Sequence, residues 1–137
     1  MPDTKAIGVA YADPQFESVT VTGPVTAVSV SVTGALNGTM LDLNAPVTKT
    51  TSFTLGDTEN FVVCNGAGSI TVTFPTASAS TGRVVWIKTI AAQTVVSASS
   101  NVLPIGSATP GTAILAASAG ANAMLVCDGT NWVIMTS

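Results

Sequence analysis

The chain has 137 residues, of which 47% are hydrophobic, 8% are charged and none is histidine, and its formal net charge is -3. Four basic residues cannot neutralise a run of phosphates, which excludes nucleic acid as a partner, and the lack of histidine excludes histidine acid–base catalysis and histidine metal ligation. The length predicts a single core, and no stretch is apolar enough to predict a membrane span, a membrane partner or a secretory signal.

The charges are concentrated in the first half of the chain, which predicts three parts. Beyond residue 59, only Arg83, Lys88 and Asp128 are charged. Residues 1–17 mix charges with glycine and proline and show neither a strand nor a helix period, so we expect an extended arm that is ordered only where something else holds it. Residues 18–51 are predicted to form a β neck and connector, and residues 52–137 a β head.

Residues 18–34 alternate valine with serine or threonine, the period of two that is typical of a β-strand. The valine phase shifts across Gly23-Pro24, which predicts a turn or bulge there. Strands of this kind expose edges without gatekeeper charges, so we expect other chains to cover them in an intertwined neck. The valines predicted to form this neck are Val19, Val21, Val28, Val30 and Val32.

From Ser52 onward, short apolar runs are separated by turn residues at the intervals typical of an all-β sandwich or barrel. Asn65-Gly66 and Asp128-Gly129 predict tight turns with a residue in the positive-φ region, and the second pair also predicts a hairpin. The alanine-rich segment 113–124 leaves a short helix open as an alternative. The predicted strands cover residues 52–55, 60–64, 69–74, 84–90, 93–97, 112–116, 122–127 and 131–136.

Two of the predicted strands are apolar on both faces, which points to contacts beyond the core. Residues 84–87, VVWI, and residues 132–135, WVIM, contain no polar position. In a chain this short, we expect one face to be core and the other to be an intersubunit contact. Arg83 and Lys88 flank the first of these strands, where they would cap its ends or meet a neighbouring subunit.

Cys64 and Cys127 occupy matching positions, each at the end of a predicted strand and before a turn. They are interpreted as small buried hydrophobic side chains rather than as a nucleophile or a metal pair, because the sequence has no histidine and no C-x-x-C motif. A disulfide between them stays open. Two cysteines are too few for a disulfide scaffold, so we expect a soluble protein that is made in a reducing cytoplasm. We also expect no cofactor.

Two further groups of side chains are candidates for chemistry. Asp57 and Glu59 would lie on one face of a strand as a carboxylate pair of the kind that glycosidases use, but a solvated loop is the favoured interpretation. Trp86, Trp132 and Tyr11 would form a sugar-stacking platform if exposed, but both tryptophans lie in apolar runs and core packing is favoured. No catalytic residue is therefore predicted, and we expect no enzyme activity.

Two stretches of the sequence resemble virion proteins of tailed bacteriophages. Residues 4–16, TKAIGVAYADPQF, are similar to the N-termini of small phage head-fibre and head-decoration proteins. Residues 53–100, together with the closing AMLVCDGTNWVIM, are similar to a β-rich module at the C-termini of phage fibre, tailspike and decoration proteins. The recurring features of that module match Val72 to Pro75, Thr81 to Arg83, Val84 to Ile90 and Asp128 to Trp132.

The resemblance implies a structural protein on the capsid surface of the virion, a capsid decoration or head-fibre (cement) protein. Its partners would be further copies of itself in a homotrimer and the major capsid protein. The implied fold is all-β, with an extended N-terminal arm, a short intertwined β neck and a C-terminal antiparallel β-sandwich or jelly-roll-like head. The arm residues expected to bind the capsid are Lys5, Ile7, Val9, Tyr11, Asp13 and Phe16.

The short neck favours a small capsid projection over a full tail fibre, because only about 17 alternating residues precede the connector. The alternative is a tail-fibre or receptor-binding module, which would bind a glycan on the host surface. A third possibility is a polysaccharide-degrading enzyme, which would need Asp57 and Glu59 to line a groove.

Overall fold

The computed structural model describes residues 43–137 without a break, together with residues 22–24, 26 and 33–34. Residues 43–137 belong to one compact unit, Met40–Ser137. The predicted arm, 1–17, with its six capsid-binding side chains, lies outside the described residues, as do the five neck valines.

The described part of the chain is built from β-strands in two sheets, which confirms the all-β class. Each of the eight strands expected from the sequence has a counterpart, and two short strands, β1 and β7, were not predicted. Residues 43–137 contain no α-helix, so the alternative of a helix within 113–124 is wrong; a 3₁₀ turn, Ala77–Ala79, stands between β4 and β5. The strands are β1 Val47–Lys49, β2 Phe53–Thr54, β3 Phe61–Cys64, β4 Ile70–Thr73, β5 Val84–Thr89, β6 Val95–Ser97, β7 Val102–Leu103, β8 Ala113–Leu115, β9 Asn122–Cys127 and β10 Trp132–Thr136.

Successive strands alternate between the two sheets along most of the unit. The six-stranded sheet has the order β1-β3-β5-β9-β10-β7 and the four-stranded sheet has the order β2-β4-β6-β8. From β1 to β8 the chain passes to the other sheet after every strand, so each turn of the chain adds one strand to each sheet. The hairpin of β9 and β10 then fills the space between β5 and β7.

The prediction of an antiparallel, jelly-roll-like head is wrong, because five of the eight strand pairings are parallel. Neighbours in a sheet are parallel when the connecting chain returns to the same end before the next strand begins. Here the connecting chain returns through a strand of the opposite sheet: β4 of the four-stranded sheet connects the parallel neighbours β3 and β5. The sandwich therefore has a wound, mixed topology.

Alternate residues of the longer strands face a common core. The buried positions of β5 are Val85, Ile87 and Thr89, and β9 follows the same period of two. Buried residues from both sheets form one hydrophobic cluster, in which the rings of Phe74 and Trp132 stack with centroids 4.6 Å apart. The core of the sandwich thus lies between the inner faces of the two sheets.

The two predicted glycine turns differ in outcome. Gly129 has φ 95° in the β9-β10 hairpin, where the Asp128 carboxylate accepts hydrogen bonds from the N–H groups of Thr130 (2.8 Å) and Asn131 (2.7 Å), which confirms this turn. Gly66 is not in the positive-φ region, so the prediction for it is wrong. A Cβ at Gly66 would lie 2.6 Å from the carbonyl oxygen of Thr50, so close backbone approach explains this glycine.

Candidate functional site

The side of the six-stranded sheet that faces away from the core is covered by apolar side chains. On β5, Val84 and Trp86 alternate with the buried Val85 and Ile87 and are 45% and 40% exposed. We define the outer face as the side chains of this surface that are not buried. Eight of them are apolar, namely Phe61, Val63, Val84, Trp86, Leu103, Met124, Val126 and Val133, and four are polar, namely Thr48, Lys88, Asn122 and Thr136.

Strand register arranges the outer face in two rows that cross the sheet. Phe61, Trp86 and Met124 are direct neighbours on β3, β5 and β9. The second row runs across β5, β9, β10 and β7 through Val84, Val126, Val133 and Leu103. Large side chains at paired positions contact one another, so the rows form a continuous apolar surface.

Two grooves border Trp86 on this face. The larger, about 500 Å³, lies between Leu43 and the outer-face residues Phe61, Trp86 and Met124, with Asn60 and Arg83 at its margin. The smaller, about 300 Å³, lies on the other side of the indole, between Pro46, Val63 and Lys88. Most of the lining is apolar, so these grooves suit apolar side chains of a partner better than a charged ligand.

The four-stranded sheet has a different outer surface. Its side chains that point away from the core are small or carry a hydroxyl group, and they are Thr54, Thr71, Thr73, Val96 and Ala113. A threonine-rich surface is compatible with water, whereas tryptophan, phenylalanine and methionine are the side chains enriched at protein interfaces. The two sides of the sandwich are therefore chemically distinct.

Arg83 holds the loop between β2 and β3 at the margin of the larger groove. Its Nη2 donates hydrogen bonds to the carbonyl oxygens of Gly56 and Glu59, the second at 3.1 Å. Arg83 therefore caps a loop within its own chain. The side chain thus binds the β2-β3 loop instead of capping an end of β5, the contact with a neighbouring subunit stays a prediction, and Lys88 stands exposed on β5.

Asp57 and Glu59 do not form a carboxylate pair in a groove. They lie in the loop between β2 and β3, not on a strand, and Asp57 is exposed. Glu59 is bound by Lys49 Nζ at 2.5 Å and by the N–H of Gly56 at 2.9 Å, and these contacts hold the pKa of its carboxyl below the usual value. The favoured interpretation, a solvated loop, is confirmed for Asp57, whereas Glu59 is 17% exposed and held by its ion pair.

The two tryptophans have opposite environments. Trp132 is fully buried and stacks on Phe74, so the prediction of core packing is confirmed for it. The same prediction is wrong for Trp86, because β5 places Val85 and Ile87 on the core side and leaves Trp86 on the outer face. Tyr11 lies outside the described residues, and Trp86 and Trp132 are on opposite sides of the six-stranded sheet.

Cys64 and Cys127 are both buried and both free, which confirms that they act as small hydrophobic side chains. Burial raises the pKa of the Cys64 thiol to about 11. The Cys127 thiol lies 3.2 Å from the carbonyl oxygen of Ala77 and donates a hydrogen bond to it. Neither side chain opens onto the outer face.

Among residues 43–137 and the few described before them, no group of three or more histidine, cysteine, aspartate or glutamate side chains is placed to hold a metal ion. The described part of the chain contains no helix that is long and apolar enough to cross a membrane. The apolar outer face is thus the feature of this part of the chain best suited to recognition. Comparison with family models, curated protein sequences and solved structures found no significant match to the chain.

Proposed function

We propose that this chain is a structural protein of a tailed-phage virion, a capsid decoration or head-fibre (cement) protein made in the host cytoplasm and carried on the capsid surface. Residues 1–17 bind the major capsid protein. The valines of residues 18–34 form an intertwined neck, and the β-sandwich is the head of a homotrimer.

One observation carries the proposal: two of the sequence features that resemble phage fibre and decoration modules lie side by side in the structure and are joined by hydrogen bonds. The turn Thr81 to Arg83 and the hairpin turn at Asp128-Gly129 are far apart in sequence. Gly82 N–H donates to the Cys127 carbonyl (2.8 Å), and Cys127 N–H donates to the Arg83 carbonyl (2.9 Å). A Cβ at Gly129 would lie 2.9 Å from Thr81 Oγ1. The quoted features thus belong to one structural unit, as expected of a shared module.

The proposal assigns binding and no catalytic step to the head. Glu59 is one of the two carboxylates considered for hydrolysis, and it already forms an ion pair with Lys49 and accepts a hydrogen bond from the N–H of Gly56. We expect a chain with both Asp57 and Glu59 replaced by alanine to behave as the wild type in assays of glycan cleavage. A glycan-cleaving activity that the double variant loses would refute this part of the proposal.

The arm is tested by deleting residues 1–17. We expect the truncated chain to keep its oligomeric mass and to lose binding to expanded phage capsids in a co-sedimentation assay. The matched control is a chain whose residues 1–17 are scrambled, which keeps length and charge and is also expected to lose binding. Undiminished binding by the truncated chain would contradict the proposed anchor.

A receptor-binding module of a tail fibre is the second candidate, and the exposed indole of Trp86 beside Phe61 and Asn60 favours it. Sugars stack on exposed aromatic rings and accept hydrogen bonds from amide groups at the rim. This candidate predicts that the purified protein binds host cells or surface polysaccharide and competes with infection, and that Trp86→Ala abolishes both effects. Binding to capsids without binding to cells would favour the decoration role.

A further inference from the structure

We propose that the outer face of the six-stranded sheet is the surface on which copies of this chain assemble, with Trp86 at its centre. The inference deepens the proposed function and rests on it in one respect, the expectation of a head made of several copies. The sequence predicts an intersubunit contact on one face of residues 84–87 and 132–135, and the inference adds which face it is and which side chains of β3, β7 and β9 belong to it.

The composition of the outer face identifies a protein partner. Eight of its side chains are apolar, and they include Trp86, Phe61 and Met124 in one row, whereas Lys88 is its one charged side chain. Depletion of charge together with tryptophan, phenylalanine and methionine is the composition of interface centres. A glycan site needs several convergent polar groups, and the guanidinium at the groove margin, Arg83, already donates to Gly56 and Glu59.

The size of the outer face fits one side of a stable interface. The six strands contain 26 residues, and at about 3.3 Å per residue and about 4.8 Å between strands they cover roughly 400 Å² in projection. The height of the side chains and the two grooves beside Trp86 increase the accessible area further. A stable interface buries about 800 Å² on each partner, which is of the same order.

The charges favour a second copy over a partner of different charge. Residues 43–137 contain three basic side chains, Lys49, Arg83 and Lys88, and three acidic ones, Asp57, Glu59 and Asp128. The outer face contains no carboxylate, and its one charged side chain is Lys88 on β5. A single cation beside the apolar rows is not a charge pattern that would select a strongly acidic partner over a second copy.

The contrast between the two sheets predicts which side meets the other copy. The four-stranded sheet exposes Thr54, Thr71 and Thr73, so it has little apolar area to remove from water. An exposed apolar patch of a few hundred Å² is among the largest that a soluble monomer shows, and patches of this size are often functional. Assembly through the six-stranded sheet removes that patch from water and leaves the threonine surface outside.

The test compares the mass of the full-length chain with that of two variants and one control by sedimentation and light scattering. Trp86→Glu and Val84→Glu each place a carboxylate at an exposed position of the outer face. Thr73→Glu places the same charge on the exposed side of the other sheet and serves as the control. We expect the wild type and Thr73→Glu to have at least twice the single-chain mass of 13.6 kDa, and both outer-face variants to fall to 13.6 kDa.

Folding of the variants is checked by circular dichroism and thermal melting, and a labelling measurement on the wild type needs no variant at all. Radical labelling of Trp86 should fall as the protein concentration rises, because association covers the indole. An unchanged mass in both folded outer-face variants would overturn the inference. Labelling of Trp86 that stays constant at every concentration would also overturn it. So would a wild type that stays a monomer and whose Trp86 is protected from labelling only when capsids or glycans are added.

The outcomes separate the inference from the proposed function. A wild type that assembles through Trp86 but does not bind expanded capsids refutes the decoration role and leaves the interface intact. A Trp86→Glu chain that stays oligomeric and still binds capsids refutes the interface and leaves the decoration role intact.

Discussion

At the scale of single residues, Gly66 shows how a position is restricted by a neighbouring segment rather than by its own backbone angles. A Cβ there would lie 2.6 Å from Thr50 O and 3.2 Å from Ile70 Cδ1. The N–H of Gly66 also donates to Gln93 Oε1 at 2.8 Å, so the loop after β3 has little freedom to move away. The loops after β1 and β3 are therefore packed too closely for a larger residue.

We expect Gly66→Ala to lower the free energy of unfolding by about 1–3 kcal/mol, the usual cost of forcing an extra methyl group into a packed site. The matched control is Gly68→Ala two residues later, where a Cβ would meet nothing within 4 Å and φ is not positive. That change should leave stability unchanged or raise it by up to about 1 kcal/mol, because alanine restricts the unfolded chain. Equal stability losses in the two variants by urea denaturation would contradict the close approach.

The buried thiols lead to a second prediction at this scale. Burial raises the pKa of Cys64 to about 11, so at about pH 8 its reactive thiolate is almost absent, and Cys127 is shielded because it is buried. We expect a thiol reagent to label neither cysteine in the native protein and both in denaturant. The count is read by mass spectrometry, and rapid labelling of one thiol in the native chain would contradict the burial of that residue.

At the scale of elements, the loop between β2 and β3 is held to β1 by one ion pair. Glu59 accepts from Lys49 on β1 and from the N–H of Gly56 in its own loop. Both contacts favour the charged carboxylate, which lowers the pKa of Glu59 in the folded protein. Stability from this group is therefore present above the unfolded pKa and is lost as the pH falls through the folded pKa.

We expect Glu59→Gln to lower the free energy of unfolding at neutral pH by about 0.5–1 kcal/mol, the scale of a partly exposed ion pair. The variant should also lose less stability than the wild type as the pH is lowered from about 5 to about 3. Asp57→Asn, a neutralised carboxylate in the exposed part of the same loop, is the control and should keep the acid dependence of the wild type. Parallel curves for Glu59→Gln and the wild type in denaturation at each pH would contradict the assignment.

The strands could largely be predicted from the sequence, but their pairing could not. Alternating apolar residues and turn residues are local signals, and they place β3, β5 and β9 within a residue or two of their observed bounds. Length alone does not explain why β1 and β7 were missed, because β2 is as short and was predicted; β1 lies in the segment assigned to the connector, and β7 stands directly before Pro104. The parallel order depends on which sheet the chain enters after each turn, and Asn65-Gly66 reads locally like a hairpin turn although β4 joins the other sheet.

The same limit applies to the candidate site. The run Val84 to Ile87 is apolar on both faces, so the sequence predicts a second contact surface but not which phase of the strand forms it. The structure settles the phase by placing Val85 and Ile87 in the core. Trp86 was assigned to the core because it lies in an apolar run, whereas its neighbours on β3 and β9, Phe61 and Met124, lie on the outer face with it.

At the scale of the whole molecule, the distribution of charge separates the head from the segment before it. Residues 43–137 carry three positive and three negative side chains, so the formal charge of -3 belongs to residues 1–42. Residues 43–137 therefore have no net charge that would make copies repel one another. This is the reason to expect assembly through apolar contact rather than through ion pairs.

Association through the outer face should consequently resist salt. Raising the salt concentration from about 0.1 M to about 1 M shortens the screening length from about 10 Å to about 3 Å, which weakens ion pairs but leaves apolar contacts intact. We expect the sedimentation coefficient of the full-length chain to be unchanged over this range, and Lys88→Ala at the margin of the outer face to behave as the wild type. If the assembly dissociated at high salt, or if Lys88→Ala alone dissociated it, ionic contacts would be holding the copies together, and the apolar rows across β3, β5 and β9 would lose their assigned role.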